Sequence, residues 1–270
     1  MENKLRLDAA LVSRGLTRSR ETAKTAIENG KVDVNGVTVR KSAFPVSPGD
    51  EIVCRENKDA FVSRGGYKLQ KALQVFCIDL KGKTCLDIGA STGGFTDCML
   101  KAGALSVTAV EGGHGQLSPT LLSDPRVLSY EKTDVRRMPP EITSRKYDFI
   151  ASDLSFISLK LVFPSVFPLL AEDGSAVFLI KPQFEAGREA VGKNGIVKNE
   201  KDHLRVIRDL LFHLRSTGVS ILGLTWSPIT GGDGNVEYLL WAAKNRPDAE
   251  PDAAGTVRYA MEELKRGKRR

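Results

Sequence analysis

Between residues 5 and 54 the apolar positions come in short bursts set apart by turn residues. Leu5, Leu7, Ala9, Ala10, Leu11 and Val12 fit one short helical stripe, which Gly15 stops. Thr17 or Ser19 can cap a second helix that runs to about Asn29, with Ala23, Ala26 and Ile27 as its buried face, and Gly30 ends it. From Val32 to Val39 the pattern alternates around Asn35-Gly36, a dipeptide suited to a two-residue hairpin because both central positions need positive φ. Pro45, Pro48 and Gly49-Asp50 punctuate, and Glu51–Cys54 reads as a closing strand. These signals predict a small α+β unit over residues 1–54.

The pattern changes after a polar stretch, and residues 55–62 read as a linker. From Gly82 onward strand-like and helix-like segments alternate. The strand candidates are Thr84–Ile88, Leu105–Val110, Val127–Tyr130, Tyr147–Ser152, Ala176–Ile180, Val219–Trp226 and Val236–Ala243, with helices at Phe95–Ala102 and Lys201–Ser216. Strands apolar on both faces, separated by helices, predict a doubly wound, mostly parallel α/β sheet over residues 63–245. The loop before the last strand has no room for a crossover helix, so the last two strands should pair antiparallel. Residues 246–270 read as a basic C-terminal tail, disordered over Arg246-Pro-Asp-Ala-Glu-Pro251 and ending Lys265-Arg-Gly-Lys-Arg-Arg270.

Composition narrows the class. The 270 residues hold 40 Lys and Arg against 33 Asp and Glu, a net charge of +7 that favours anionic partners. Met1-Glu2-Asn3-Lys4 leads into a charged amphipathic stretch, unlike a secretion signal, and no apolar run approaches the roughly 18 residues of a membrane span. The four cysteines form no C-x-x-C pair, and the three histidines lack ligand spacing. No metal site, no disulfide framework and no membrane partner are therefore expected, and the reading is of a cytoplasmic protein, most simply a monomer.

The chemistry concentrates at strand ends. Cys85-Leu-Asp87-Ile-Gly89-Ala90-Ser91-Thr92-Gly93-Gly94-Phe95 runs from a strand through a glycine-rich turn into a helix. It lacks the G-x-G-x-x-G of dinucleotide folds and the lysine of a phosphate-binding P-loop. Asp87 before the first glycine and Glu111 at the next strand end suit a ligand with a cationic end and a ribose, as in S-adenosylmethionine. The turn residues 89–95, with Asp87, Glu111, Asp134 and Asp153, are the candidate cofactor-binding set. Lys181 follows a buried strand, where it can serve as an ion-pair partner or as a general base. Ser63-Arg64-Gly-Gly-Tyr-Lys68, the polar loop from Lys181-Pro-Gln-Phe-Glu185 to Lys198, and Ser227 to Glu237 complete the candidates. The polar loop reads as a mobile substrate loop, and Asn235 and Glu237, on alternate residues, read as aimed polar groups. In the small unit Arg6, Arg18, Arg20 and Lys24 cluster as a candidate surface for an anionic partner such as nucleic acid, joined by Arg64 in the second unit.

Taken in order, Asp87–Phe95, Asp153-Leu-Ser-Phe-Ile-Ser158, Lys181-Pro-Gln-Phe-Glu185 and Gly234-Asn-Val-Glu237 resemble the haemolysin A-like ribosomal RNA methyltransferases within the FtsJ-like ribose 2′-O-methyltransferases. Arg6-Leu-Asp8, Thr17-Arg-Ser-Arg20, Gly30-Lys-Val and Val34-Asn-Gly36 are similar to the landmarks of the S-four RNA-binding domain. The resemblance implies a seven-stranded Rossmann-like methyltransferase sheet with an antiparallel last strand, S-adenosylmethionine as cofactor, and ribosomal RNA within ribosomal subunits as partner. It implies 2′-O-methylation of a ribose, expected at a cytidine of 16S or 23S RNA, by a catalytic set of Lys68, Asp153, Lys181 and Glu237. Where the family usually has Asp, this chain has Glu111. Three other readings compete. A base methyltransferase expects Asn-Pro-Pro-Tyr at the fourth strand end, where this chain has Asp153-Leu-Ser-Phe. A haemolysin expects a membrane-inserting segment, and a non-catalytic assembly factor has no need of the four-residue set.

Overall fold

The computed structural model describes residues 4–17, 20–55, 61–192 and 194–267. They fall into two units, divided between Ala60 and Phe61.

In the first unit the helices Leu7–Ser13 and Arg20–Glu28 pack on a core that includes Leu7, Leu11, Ala23, Ile27, Val32 and Val46. Gly15, at φ +67°, takes the left-handed conformation that ends the first helix cheaply only for glycine. The strands Val32–Val34 and Val37–Thr38 pair antiparallel around Asn35 and Gly36, both at positive φ as the turn requires, and Ile52–Cys54 closes the sheet on the other side of Val32–Val34. Leu5 departs from the helical expectation: Leu5–Arg6 pairs antiparallel with Pro45–Val46, and the helix begins at Leu7, whose amide donates to Phe44 O. The candidate cap Ser19 lies outside the described residues, and Thr17 Oγ1 is buried with no hydrogen-bond partner.

The second unit carries a seven-stranded sheet in the order Ser220–Trp226, Tyr238–Ala243, Leu170–Ile180, Tyr147–Ser152, Thr84–Ile88, Ser106–Val110, Val127–Tyr130. Tyr238–Ala243 runs antiparallel to both neighbours, and the other pairings are parallel. Alternate residues of each strand feed opposite faces. Leu86, Ile88, Ile150, Phe178 and Ile180 join one apolar cluster, while Cys85, Phe149, Ala151, Val177 and Leu179 join the other. Burial on both faces explains why these strands read as continuous apolar runs.

Two expectations are corrected, the start of one strand and the C-terminal tail, and one helix adds to the reading. Helix Gly65–Val75 precedes the first strand, burying Leu69, Ala72 and Leu73. The strand expected at Ala176 begins at Leu170, with a register shift before Ser175. The division between the two units falls within the expected linker, at whose ends Arg55 N donates to Lys31 O and Val62 N to Asp97 Oδ2, while residues 56–60 lie outside the described residues. The expected disordered tail is docked. Asp248 accepts from Ile221 N and Arg215 Nε at 2.6 and 2.7 Å, Ala249 N donates to Ile221 O, and helix Ala253–Gly267 buries Ala253, Val257 and Ala260 in the sheet's apolar cluster. Their i, i+4, i+7 spacing is the signal of an amphipathic helix, and the prolines before it only delay its start. Residues 268–270 of that basic end lie outside the described residues.

Candidate active site

Strand Thr84–Ile88 ends in a turn with Gly89 at φ +81° and Gly93 at φ +94°, from which helix Gly94–Lys101 starts. A Cβ on Gly89 would stand 2.7 Å from Asp153 O, so a side chain there collides with the neighbouring strand-end backbone. Gly93 does something else: a Cβ there would meet Leu121 and Leu117, and this glycine lets the turn pack on that pair rather than lining the cleft. Gly94 lies against Gly66 N, where a Cβ would come within 2.9 Å, which brings the helices Gly94–Lys101 and Gly65–Val75 together at their starts.

That approach delivers Lys68 to the carboxyl edge of the sheet. Lys68 Nζ lies 2.7 Å from Glu237 Oε2 and 3.4 Å from Asp153 Oδ2, and Lys181 Nζ lies 2.6 Å from Asp153 Oδ1. Four residues from four separate segments thus form one charge-balanced row: Glu237, Lys68, Asp153, Lys181. All are buried or nearly so, with Glu237 at the deep end. Glu237 Oε2 and Asp153 Oδ1 touch their lysines without an aligned hydrogen bond and keep accepting capacity. Burial opposes charge on Lys68, but the Asp153 and Glu237 carboxylates outweigh it and raise its pKa, so Lys68 is held as an ammonium. Burial likewise pushes Glu237 up, partly offset by Lys68.

Two clefts meet at Gly89. One, of about 300 Å³, is lined by the turn (Gly89–Thr92, Gly94, Phe95), by Arg64, Lys68, Asp153 and Lys181, and by Ile229–Gly232. The other, of about 340 Å³, lies between Val110, Asp134, Val135 and Leu154. Asp87 lies beneath, fully buried. Its Oδ2 accepts from Thr96 Oγ1 at 2.6 Å, Oδ1 has no partner, and burial, with the nearby Asp153 and Glu111 adding to it, pushes its pKa up to about 7.

Residues 61–244 match the family described as FtsJ-like methyltransferase, and residues 5–52 match the S4 domain. The chain belongs to the FtsJ-like methyltransferase family. It is 42% identical over 242 residues, 89% of this chain and 90% of the relative, to a Mycobacterium tuberculosis protein named 16S/23S rRNA (cytidine-2′-O)-methyltransferase TlyA. It is 42% identical over 236 residues, 87% of this chain and 98% of the relative, to Hemolysin A of Brachyspira hyodysenteriae. A solved Streptococcus thermophilus structure, provisionally named a hemolysin, superposes with a TM-score of 0.77 at 39% identity, covering 100% of both chains.

FtsJ-like methyltransferases use S-adenosylmethionine, and the residues here fit it. The orphaned Asp87 Oδ1 offers a buried acceptor for a cationic group, and the Gly89 turn leaves backbone exposed where a side chain would obstruct a ligand. Glu111 is placed differently from the expectation of a free ribose ligand. Its two oxygens accept from Ser91 N at 2.8 Å and Gly113 N at 2.7 Å, so it ties two loops together, keeping further lone pairs for a ligand. Asp134 lines the second cleft while its carboxylate holds the Arg136 side chain and amide, which keep its pKa down to about 2.

Three residues with no role assigned from the sequence shape the methyltransferase site. Ser155 Oγ accepts from Lys181 Nζ at 2.8 Å. Phe156 is 90% exposed at φ +64°, a costly backbone state for a bulky residue, and its ring lies 5.0 Å from that of Phe184. Glu185 accepts from Ser158 Oγ at 2.6 Å and Leu159 N at 2.7 Å, fastening the Lys181 loop to the Asp153 loop. All three stand inside the motifs that carry the resemblance, but which group each would face was not legible there.

In the S4 unit Arg6 and Arg20 both turn onto Asp8, which is wholly buried, at 3.0 and 3.2 Å. Their guanidinium groups are an arranged, half-exposed pair rather than free surface charges. Lys24 is exposed on the same helix as Arg20, Arg18 lies outside the described residues, and Arg64 lines the first cleft of the other unit. Among the described residues no group of His, Cys, Asp and Glu could hold a metal, and no helix is long and apolar enough to cross a membrane.

Proposed function

We propose that this protein methylates the 2′-hydroxyl of a cytidine ribose in ribosomal RNA, with Lys68, Asp153, Lys181 and Glu237 as its catalytic set. The charge-balanced row at the Gly89 cleft carries the reading. A ribose hydroxyl is a weak acid, so the protein must align it and remove its proton. Lys181, at the outer end of the row and bound to Ser155 Oγ, is the proton acceptor: its ammonium first gives a proton to solvent, and the neutral amine then takes the proton of the 2′-hydroxyl. Lys68, held as an ammonium, stands where it stabilises the developing oxyanion. Asp153 touches both lysines and sets their spacing, while Glu237 anchors Lys68 from below. Bound S-adenosylmethionine supplies an electrophilic methyl group, with Asp87 and the Gly89–Phe95 turn as its holders and Asp134 beside the second cleft.

The substrate class rests on the S4 match, on the names of the relatives, and on the exposed Phe156–Phe184 face beside Ser155. An exposed aromatic face next to a proton acceptor is what an unstacked nucleotide can lie on. The test is transfer of labelled methyl groups from S-adenosylmethionine to isolated small and large ribosomal subunits, followed by mapping. The expected product is a cytidine whose 3′ phosphodiester resists alkali, because the 2′-oxygen is blocked. Label on a base, or no label on either subunit, overturns the reading.

A further inference from the structure

The polar loop before helix Glu200–Ser216, expected to be mobile, is gripped by the strand that supplies Glu237. Asn235 is wholly buried, and both ends of its amide are engaged by that loop: Oδ1 accepts from Val197 N at 3.1 Å, and Nδ2 donates to Gly195 O at 2.9 Å. The remaining polar group of Val197 is held too. His203 Nε2 donates to Val197 O at 2.8 Å, and the Tyr238 hydroxyl donates to His203 Nδ1 at 2.9 Å, which sets the tautomer. His203 and Tyr238 are wholly buried, and the Val197 side chain joins the apolar cluster. Burial of irregular backbone is stable only when each N–H and C=O finds a partner, and here side chains supply every one that Val197 needs.

The residues doing this flank the catalytic carboxylate. Asn235 stands two positions before Glu237 and Tyr238 one after. The same short segment is tied back on itself, with Gly231 N donating to Asn235 O and Ser227 N to Glu237 O. Releasing the loop would strand the Asn235 amide and the His203 N–H in an apolar interior, so the segment carrying Glu237 would have to rearrange with it. The amide accepts from Val197 through its oxygen and donates to Gly195 through its nitrogen; an ionised aspartate could not donate, and an apolar residue could do neither.

We propose that Asn235 is a positioning residue: with His203 and Tyr238 it latches the Gly195–Val197 segment to the start of the last strand, so that closure of this loop and placement of Glu237 against Lys68 are one coupled event. For the methyl-transfer step this rests on the function proposed above; the latch itself does not.

The test compares the full-length wild type with Asn235→Ala and Tyr238→Phe. Amide exchange of peptides from residues 187–199, followed by mass spectrometry, reads the loop without any RNA. Single-turnover and steady-state methylation read the site, and calorimetry reads S-adenosylmethionine affinity. For Asn235→Ala, exchange is expected to speed up by about tenfold or more, and kcat to fall by about 10- to 100-fold. The KM for RNA and the cofactor affinity should stay within about threefold, a split that general destabilisation would not produce. Tyr238→Phe, which removes one hydroxyl and keeps the ring, should shift exchange and kcat in the same directions by a few-fold. Unchanged loop exchange in Asn235→Ala, or faster exchange with normal kcat, overturns the proposal. If Asn235→Ala does not fold, Tyr238→Phe decides alone, and no change in either of its readouts overturns the latch. A wild type that methylates no RNA would sink the proposed function, while the exchange measurement would still decide whether the latch exists.

Discussion

Lys68 and Lys181 are the same residue type in one cleft, yet their neighbours give them different work. Two carboxylates hold Lys68 charged, whereas Lys181 shares a single carboxylate and a serine hydroxyl. Lys181→Ala should therefore cut the single-turnover rate by about 10²–10⁴-fold with saturating RNA and cofactor, and change either affinity little. A variant that loses only RNA affinity would reassign Lys181 to a phosphate contact. Asp87 carries a second expectation. Burial raises its pKa to about 7, so near neutral pH a fraction is protonated in the cofactor-free protein. A cationic ligand favours the ionised form, so S-adenosylmethionine affinity should rise with pH between about 6 and 8. Titration calorimetry across that range checks it, and Asp87→Asn should bind more weakly with a flatter profile.

Two short elements of the S4 unit converge on one buried acid. Arg6 precedes the first helix, Arg20 opens the second, and Asp8 stands between them as the acceptor both share. The bond from Arg6, helped by Arg20 and opposed by burial, keeps the Asp8 pKa down to about 2, against an ordinary value of 3.8. A carboxylate with a depressed folded pKa stabilises the fold fully above its unfolded pKa, and the contribution disappears as pH falls through the folded value. Acid destabilisation of this unit between about pH 4 and pH 2 should thus be steeper in the wild type than in Asp8→Asn, read by amide exchange of the two helices. The arginines also bear on RNA. Arg6→Ala with Arg20→Ala should weaken RNA binding and lower its salt slope by about 0.7–0.9 for each phosphate no longer neutralised, leaving cofactor binding intact. An unchanged slope would mean that the pair serves only Asp8.

At the scale of the whole molecule, the C-terminal segment separates a tail from a structural element. Helix Ala253–Gly267 buries Ala253, Val257 and Ala260, and the segment before it bonds to strand Ser220–Trp226 and helix Glu200–Ser216. A chain truncated after Asp252 should lose roughly 10 °C in melting temperature, because an apolar patch of the sheet's covering layer becomes exposed. A true tail could be removed without any shift.

The strand order along the second unit, the glycine-rich turn and the Asn35-Gly36 hairpin were legible in the residues themselves. Each is a local matter: continuous apolar runs, a glycine where φ must be positive, a polar break between elements. The motifs also carried Lys68, Asp153, Lys181 and Glu237, but as separate points in the chain. What brought them into one row was the close approach of Gly94 to Gly66 and the parallel register of the central strands. The tertiary structure also decided that Gly93 serves packing, that Glu111 ties two loops, that Arg6 and Arg20 share an acid, and that Asn235 holds a loop about 40 residues away in sequence. Sequence pattern reports which groups a segment carries and which face must be buried; which partner a polar group meets depends on contacts between distant segments, and only the folded chain sets those distances.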